Sequence, residues 1–197
     1  MHPLYKIRLA EAADAEEIRA IRNDIIEHST AMWTTQPVSP GDGRAWLAEN
    51  MARRSAYVAE AAGHVVGYAS WAPWRPKDGY RHTVEDSVYL ASGHQGRGLG
   101  AELLRTLIAG ATGSGAHVMM ACIEASNVRS VILHERLGFE LVGTAREVGV
   151  KFGRWLDLTM MRLALQDGTA RDTKAGERLA RPSLLSPGNV PVSTDAR

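Results

Sequence analysis

Cysteine occurs once in the 197 residues, at Cys122. A lone thiol excludes any intramolecular disulfide, which suits a reducing compartment. Charge of one sign is missing as well. Twenty-three basic residues stand against 22 acidic ones, a net charge of +1, so neither nucleic acid nor an anionic membrane is expected as a partner. No apolar run reaches the length of a membrane span. The opening MHPLYKIRLAEAADAEE lacks the apolar region of a signal peptide. Together these absences point to the cytoplasm. No G-x-x-x-x-G-K-[ST] phosphate loop occurs, and there are no internal repeats. His64, His82 and His94 lie in separate segments without ligand spacing, so no metal is expected.

What is present reads as a globular domain. Apolar residues make up 45% of the chain, and the length suffices for one sizeable core. LYKIRLA alternates as a strand does. Asp14 and Glu17 form a capping-box signal, followed by Ile18, Ile21 and Ile25 on one helical face. TQPVSPGDG reads as a loop, RAWLAENMARR as an amphipathic helix, and SAYVAEAAGHVVGYASWAPW as two strands around a turn at Ala62-Gly63-His64. TVEDSVYLA is a strand, HVMMACIE a buried strand holding Cys122 in the core, and SNVRSVILHERLGF a short helix ended by Gly138. ELVGTAREVGV and WLDLTMMRLAL close the domain as strands. The fold class is mixed α/β (α+β), a mostly antiparallel central sheet flanked by helices. Residues 1–165 form this domain. From 166 to 197 the chain is rich in Gly, Pro, Ser, Thr and charge without a sustained period, and is expected to be a mobile tail.

Between the TVEDSVYLA strand and a helix with Leu99, Leu103, Leu107 and Ala111 on its core face lies HQGRGLG, residues 94–100. Glycines there leave backbone N–H groups uncovered where a helix begins, a device for binding phosphate or pyrophosphate. A dinucleotide fingerprint fits Gly96, Gly98 and Ala101, but no acidic residue stands about twenty positions on, as that fold requires. The better match is Gln95-x-x-Gly98-x-Gly100. It resembles the acetyl-CoA loop of the GNAT-type N-acetyltransferases.

The resemblance runs from about Tyr5 to Leu165 and is most specific to the phosphinothricin and methionine-sulfoximine acetyltransferase branch. Ser130-Val131-Ile132-Leu133-His134-Glu135-Arg136-Leu137-Gly138-Phe139 matches the branch pattern S-V-x-L-H-E-x-L-G-[FY]. Most of the wider family carries tyrosine where His134 stands. Ser29-Thr30 with Trp33, Pro73-Trp74-Arg75 with Tyr80, Thr83 to Tyr89, and Lys151 to Asp157 match further branch segments in order. The resemblance implies the GNAT acyl-CoA N-acyltransferase fold with splayed strands, acetyl-CoA as co-substrate, a small-molecule amine as acceptor, and a homodimer. The cofactor would lie on Val88, Tyr89 and Leu90 of the splayed strand, on Gln95, Gly96, Arg97, Gly98, Leu99 and Gly100 of the loop, and on Asn127 and Ser130 of the next helix. Val88 would lend its backbone N–H to the thioester carbonyl. Arg97 adds charge or is simply solvated, and Asn127 caps its helix, holds pantetheine, or does both.

Acetyl transfer needs a base for the amine, a polarised carbonyl, alignment and a proton for the leaving thiolate. Glu85 is the candidate base, since a partly buried glutamate is raised toward neutral pH; Asp86, on the other face of the strand, is the lesser candidate. His134 is the candidate second catalytic group, set against a helix histidine that only packs. Arg75, Lys77 and Tyr80 suit a substrate carboxylate, Trp33 a side-chain wall; Lys151 and Trp155 match a pocket segment, within the site or across a dimer interface. Lys77 and Trp33 depart from the arginine and phenylalanine commonest in phosphinothricin enzymes, which widens the expected substrates to methionine sulfone and sulfoximine. Two other readings compete: acetylation of a protein N-terminus or another amine, and a non-catalytic acyl-CoA-sensing module, which would need neither Glu85 nor His134.

Overall fold

The computed structural model describes residues 5–165; the expected tail, 166–197, lies outside them. Seven strands make one sheet: β1 (Lys6–Leu9), β2 (Ala56–Ala61), β3 (His64–Pro73), β4 (Thr83–Leu90), β5 (Val118–Glu124), β6 (Glu140–Lys151) and β7 (Arg154–Ala164), in the order β1-β2-β3-β4-β5-β7-β6. Every neighbouring pair is antiparallel except β4 and β5. Four α-helices flank it: α1 (Ala15–His28), α2 (Pro40–Arg53), α3 (Leu99–Gly113) and α4 (Val128–Arg136). The mixed, mostly antiparallel architecture expected from the pattern is the one observed. No helix of the described residues is long and apolar enough to cross a membrane.

Both sheet faces are apolar near the centre because β2 and β3 carry apolar side chains at consecutive positions. Ala59, Ala69 and Trp71 join Leu99, Leu103, Leu104 and Leu107 of α3, with Val131 and Leu133 of α4 packed alongside. Val58, Val65 and Tyr68 face the other way, onto Ile18 and Ile21 of α1 and Leu47 of α2. One layer of helices therefore covers each face, α3 and α4 on one, α1 and α2 on the other.

Two local expectations are corrected. Asp14 does not pair with Glu17. Its carboxylate takes two hydrogen bonds from the Arg8 guanidinium, at 2.7 and 2.8 Å, and the Glu11 N–H at 2.8 Å. Three charge-assisted or backbone donors beside β1 outweigh a cap further on. Glu17 instead accepts the Val65 N–H at 2.7 Å and meets His64 Nδ1 at 2.9 Å, fastening α1 to the β2–β3 turn. The second correction concerns TQPVSPGDG, whose second half is helical. Ser39 caps α2 by accepting the Asp42 N–H at 3.2 Å, and Pro40 opens the helix, where its missing N–H costs nothing.

The decisive feature lies at the centre. β4 and β5 pair only over Thr83↔Val118, Val84↔Met119 and Glu85↔Met120. Beyond that point β4 stays on β3 as far as Leu90, and β5 stays on β7 as far as Glu124. The two strands part, leaving a wedge through the sheet.

Candidate active site

A cavity of about 110 Å³ fills the wedge. Glu85 to Tyr89 of β4 and Ala121 to Glu124 of β5 form its walls, with Asn127, Ser130 and His134 from α4 and Ala31 from the α1–α2 loop. Strand alternation sorts the β4 side chains. Glu85, Ser87 and Tyr89 share the face of α1 and α2, while Asp86 and Val88 share that of α3 and α4.

Glu85 is half-buried. Burial pushes its carboxyl above the usual glutamate range, against the pull of the Cys122 thiol and the Arg75 charge. Cys122 is thus not the buried core residue expected. It is only partly buried, lines the cavity, and has its thiol pushed up to about 11, by burial first and then by Glu85. A strand residue beside a parting neighbour loses part of its cover.

His134 is buried across the cavity from Glu85, its Nδ1 2.7 Å from the Ser130 carbonyl and its Nε2 3.0 Å from Asp86 Oδ2. Phe139 meets the ring edge-on at 4.9 Å. Burial alone would lower the pKa of His134, but the Asp86 hydrogen bond and charge, with the Ser130 carbonyl, outweigh it and raise it. The strand pattern set Asp86 opposite Glu85; it gave no sign that a helix residue 48 positions on would meet it.

The backbone of β4 supplies another group. Hydrogen bonds from Trp74 N–H to Thr83 O (3.1 Å) and from Ala91 N–H to Val66 O (2.9 Å) show that odd-numbered residues from Thr83 to Ala91 turn their backbone groups to β3. Even-numbered ones turn away, and beyond Glu85 no strand of the described residues meets them. The Val88 N–H therefore points into the wedge.

Past Leu90 the loop is shaped by Gln95, whose Oε1 accepts the Gly93 N–H at 3.1 Å and whose Nε2 donates to Leu90 O at 3.3 Å. Gly96 and Gly98 have φ of 76° and 83°, a region closed to most side chains, and nothing of the protein lies within 4 Å of where their Cβ atoms would be. The space above the loop is open and Gly98 is the N-cap of α3, with Leu99 buried beneath and Gly100 just behind. Arg97 is exposed. An uncovered glycine loop at the positive end of a long helix fits the pyrophosphate of a nucleotide cofactor. Asn127 caps α4, its Oδ1 accepting the Ser130 N–H at 3.2 Å, and both residues line the cavity.

The six residues expected at the acceptor do not line this cavity. Trp33, half-buried, lies against Gly149 of β6. Arg75 stacks on Trp74 at 4.8 Å, Tyr80 meets Trp74 edge-on at 5.3 Å, and Lys77 is exposed just before that turn. Lys151 is buried; its Nζ donates to Ser29 O at 2.7 Å and Met32 O at 2.5 Å. It holds the α1–α2 loop rather than facing a ligand. Trp155 is 67% exposed at the far end of the β6–β7 hairpin.

Glu124, missed in the sequence, fastens the same loop from β5. It accepts from Thr30 Oγ1 at 3.1 Å, Ser126 Oγ at 2.6 Å and Ser126 N–H at 3.0 Å. Burial opposes its ionisation, but these donors outweigh it and lower its pKa. Among the described residues no three His, Cys, Asp or Glu side chains gather as metal ligands.

Comparison with known proteins adds three findings. Residues 18–139 match the model of the acetyltransferase (GNAT) family. An L-methionine sulfoximine/L-methionine sulfone acetyltransferase of Pseudomonas aeruginosa is 48% identical over 162 residues, covering 81% of this chain and 94% of the relative. Two solved structures share the fold. A GNAT superfamily phosphinothricin acetyltransferase of Sinorhizobium meliloti in complex with acetyl-CoA is 34% identical, with a TM-score of 0.81 over 87% of this chain and 94% of that one. A ribosomal-protein-alanine N-acetyltransferase of Brucella melitensis is 45% identical, with a TM-score of 0.79 over 81% and 99%.

Proposed function

The chain belongs to the GNAT acetyltransferase family, and from that premise we propose that it moves the acetyl group of acetyl-CoA directly to the α-amine of a small amino-acid analogue, with Glu85 as general base. Methionine sulfoximine, methionine sulfone and phosphinothricin, the substrates in the names of its relatives, share a carboxylate, an amine and a tetrahedral polar head.

One observation carries the mechanism: Glu85 and His134 border a single cavity from opposite faces of the parted strands. The two reactants then meet through the wedge without a covalent enzyme intermediate. Glu85, raised by burial, accepts the ammonium proton directly or through water, freeing the lone pair for attack. The Val88 N–H donates to the thioester oxygen as negative charge develops there. The glycine loop and the N-terminus of α3 carry the pyrophosphate, while Asn127 and Ser130 border the pantetheine path. Trp33, Arg75, Lys77 and Tyr80 form the acceptor side, Arg75 near enough to Glu85 to act on its charge; Lys151 shapes that side by holding the loop that carries Trp33.

We further propose that the enzyme works as a homodimer in the cytoplasm. The single thiol supports the compartment. Leu141, Val142, Val148, Val150, Phe152 and Trp155, all more than half exposed or close to it on β6, β7 and their turn, support the dimer.

The test is CoA release from acetyl-CoA with the three analogues and the ordinary amino acids, beside Glu85→Gln. Turnover on a tetrahedral-headed analogue, lost in the variant, is the expected result. The ribosomal-protein-alanine relative keeps a second reading, acetylation of a protein N-terminus; silence across the amino-acid panel with turnover on an alanine-ended peptide selects it. Stabilisation by CoA with no turnover on any amine selects the sensing module.

A further inference from the structure

Both ring nitrogens of His134 face acceptors. The Ser130 carbonyl oxygen can only accept, so Nδ1, at 2.7 Å, carries a proton. Nε2 lies 3.0 Å from Asp86 Oδ2, so a second proton lies between those two atoms. The side chains are 4% and 2% exposed, and bulk water does not compete for that proton. The ring thus has no free nitrogen with which to act alone. Asp86 also lines the cavity, and its other oxygen, Oδ1, is buried without a donor among the described residues. A bare carboxylate oxygen in such a place is costly unless the occupant of the cavity, or a water that comes with it, supplies a donor.

We propose that Asp86 is a positioning residue for acetyl transfer: it holds His134 as an imidazolium, fixes the ring at the cavity edge, and makes the pair the source of the proton taken by the departing sulfur. The inference rests on the acetyl-transfer reading of the site. The balance is direct. The C–N bond forms as the C–S bond breaks, the electron pair of C–S goes to sulfur, and sulfur takes the proton held between Nε2 and Oδ2. The pair is left as imidazole and carboxylate and regains its proton from solvent once the products leave. The ammonium sheds two protons on becoming an amide: Glu85, on the other face of β4, takes the first and passes it to solvent before attack, then takes the second as the C–N bond forms.

The surroundings favour a cation at His134. Glu85 and Tyr89 of β4 and Cys122 and Glu124 of β5 border the same cavity, and none of them carries positive charge. On α4 itself the neighbouring Glu135 and Arg136 are exposed and opposite in sign.

The experiment is nitrogen NMR of the histidine rings in the full chain, with His134→Gln to assign the signal, joined to the kinetics of Asp86→Asn. In the wild type, the His134 ring is expected to be doubly protonated at neutral pH and to titrate above its ordinary 6.5. An amide at position 86 donates to Nε2 and fixes a neutral ring. The variant should lose about 10- to 100-fold in kcat, keep KM for acetyl-CoA within about threefold, and lose the alkaline limb of the wild-type profile. A purely structural pair would lower the melting temperature and leave that limb in place, which overturns the proposal. So does a wild-type His134 that is neutral at neutral pH, a result that decides the matter even if Asp86→Asn does not fold. Absence of turnover on any amine, with the imidazolium signal intact, removes the acetyl-transfer reading and the donor role with it, and leaves only an ion pair.

Discussion

The base role proposed for Glu85 sets two demands on one side chain. To accept a proton it must be ionised, and it is buried enough to resist ionisation. Its folded pKa lies above the ordinary value of 4.5, so the base is competent only above that raised value. The acid limb of kcat/KM should therefore have its midpoint above the usual carboxylate range and vanish in Glu85→Gln, with a loss of about 10²- to 10⁴-fold. A pH–rate profile of both proteins checks this. His134 carries the opposite sign. Its raised pKa keeps the imidazolium present below the folded value, and whatever stability the pair contributes is lost as pH rises through it. Gly149 gives a second prediction at this scale. A Cβ there would run into the Trp33 ring, so Gly149→Ala must displace the side chain proposed as the acceptor wall. KM for the amine should rise by more than kcat falls, while KM for acetyl-CoA stays put. Equal effects on both KM values would show that Trp33 is remote from the acceptor.

Among the elements, the α1–α2 loop depends on side chains from strands far along the chain. Lys151 from β6 and Glu124 from β5 supply its hydrogen bonds. Lys151→Met would leave two carbonyls without their donor and should cost about 1–3 kcal/mol of stability, read from denaturant unfolding. A weaker grip on the amine should follow, with acetyl-CoA binding unchanged. Such cross-chain fastening is what the sequence hides. The matched segments marked Lys151 as a pocket residue, yet its target, a pair of backbone carbonyls about 120 positions earlier, has no local signature. Elements with period and punctuation were legible. Leu99, Leu103, Leu107 and Ala111 marked the core face of α3, and the alternation of TVEDSVY gave both faces of β4. The S-P pair at Ser39-Pro40 was a helix start read as loop, because proline and glycine together suggest a turn. The capping signal at Asp14 misled in another way, since Arg8 on the neighbouring strand is a stronger partner than the next turn of helix.

On the scale of the whole molecule, the hydrophobic pattern predicted a mixed sheet, and the arrangement follows it, but the parting of β4 from β5 is written in no single segment. It is seen only in the assembled sheet, where β4 stays paired with β3 to Leu90 and β5 with β7 to Glu124 after their own pairing has ended. β6, at the sheet edge, exposes apolar side chains along much of its length. If that strip is the dimer face, Trp155→Glu should shift the mass measured by light scattering from two chains to one, with the fold retained by circular dichroism; an unchanged mass would move the interface elsewhere. The lone thiol has a consequence of its own. Cys122 stands in the cavity wall with its ionisation suppressed, so an alkylating reagent adds one label per molecule, slowly, and only when the wedge is empty. Intact mass after a timed pulse then counts occupied molecules directly, whether or not the occupant reacts. Saturating ligand should leave most chains unlabelled, and the chain carries this footprinting probe without any engineering.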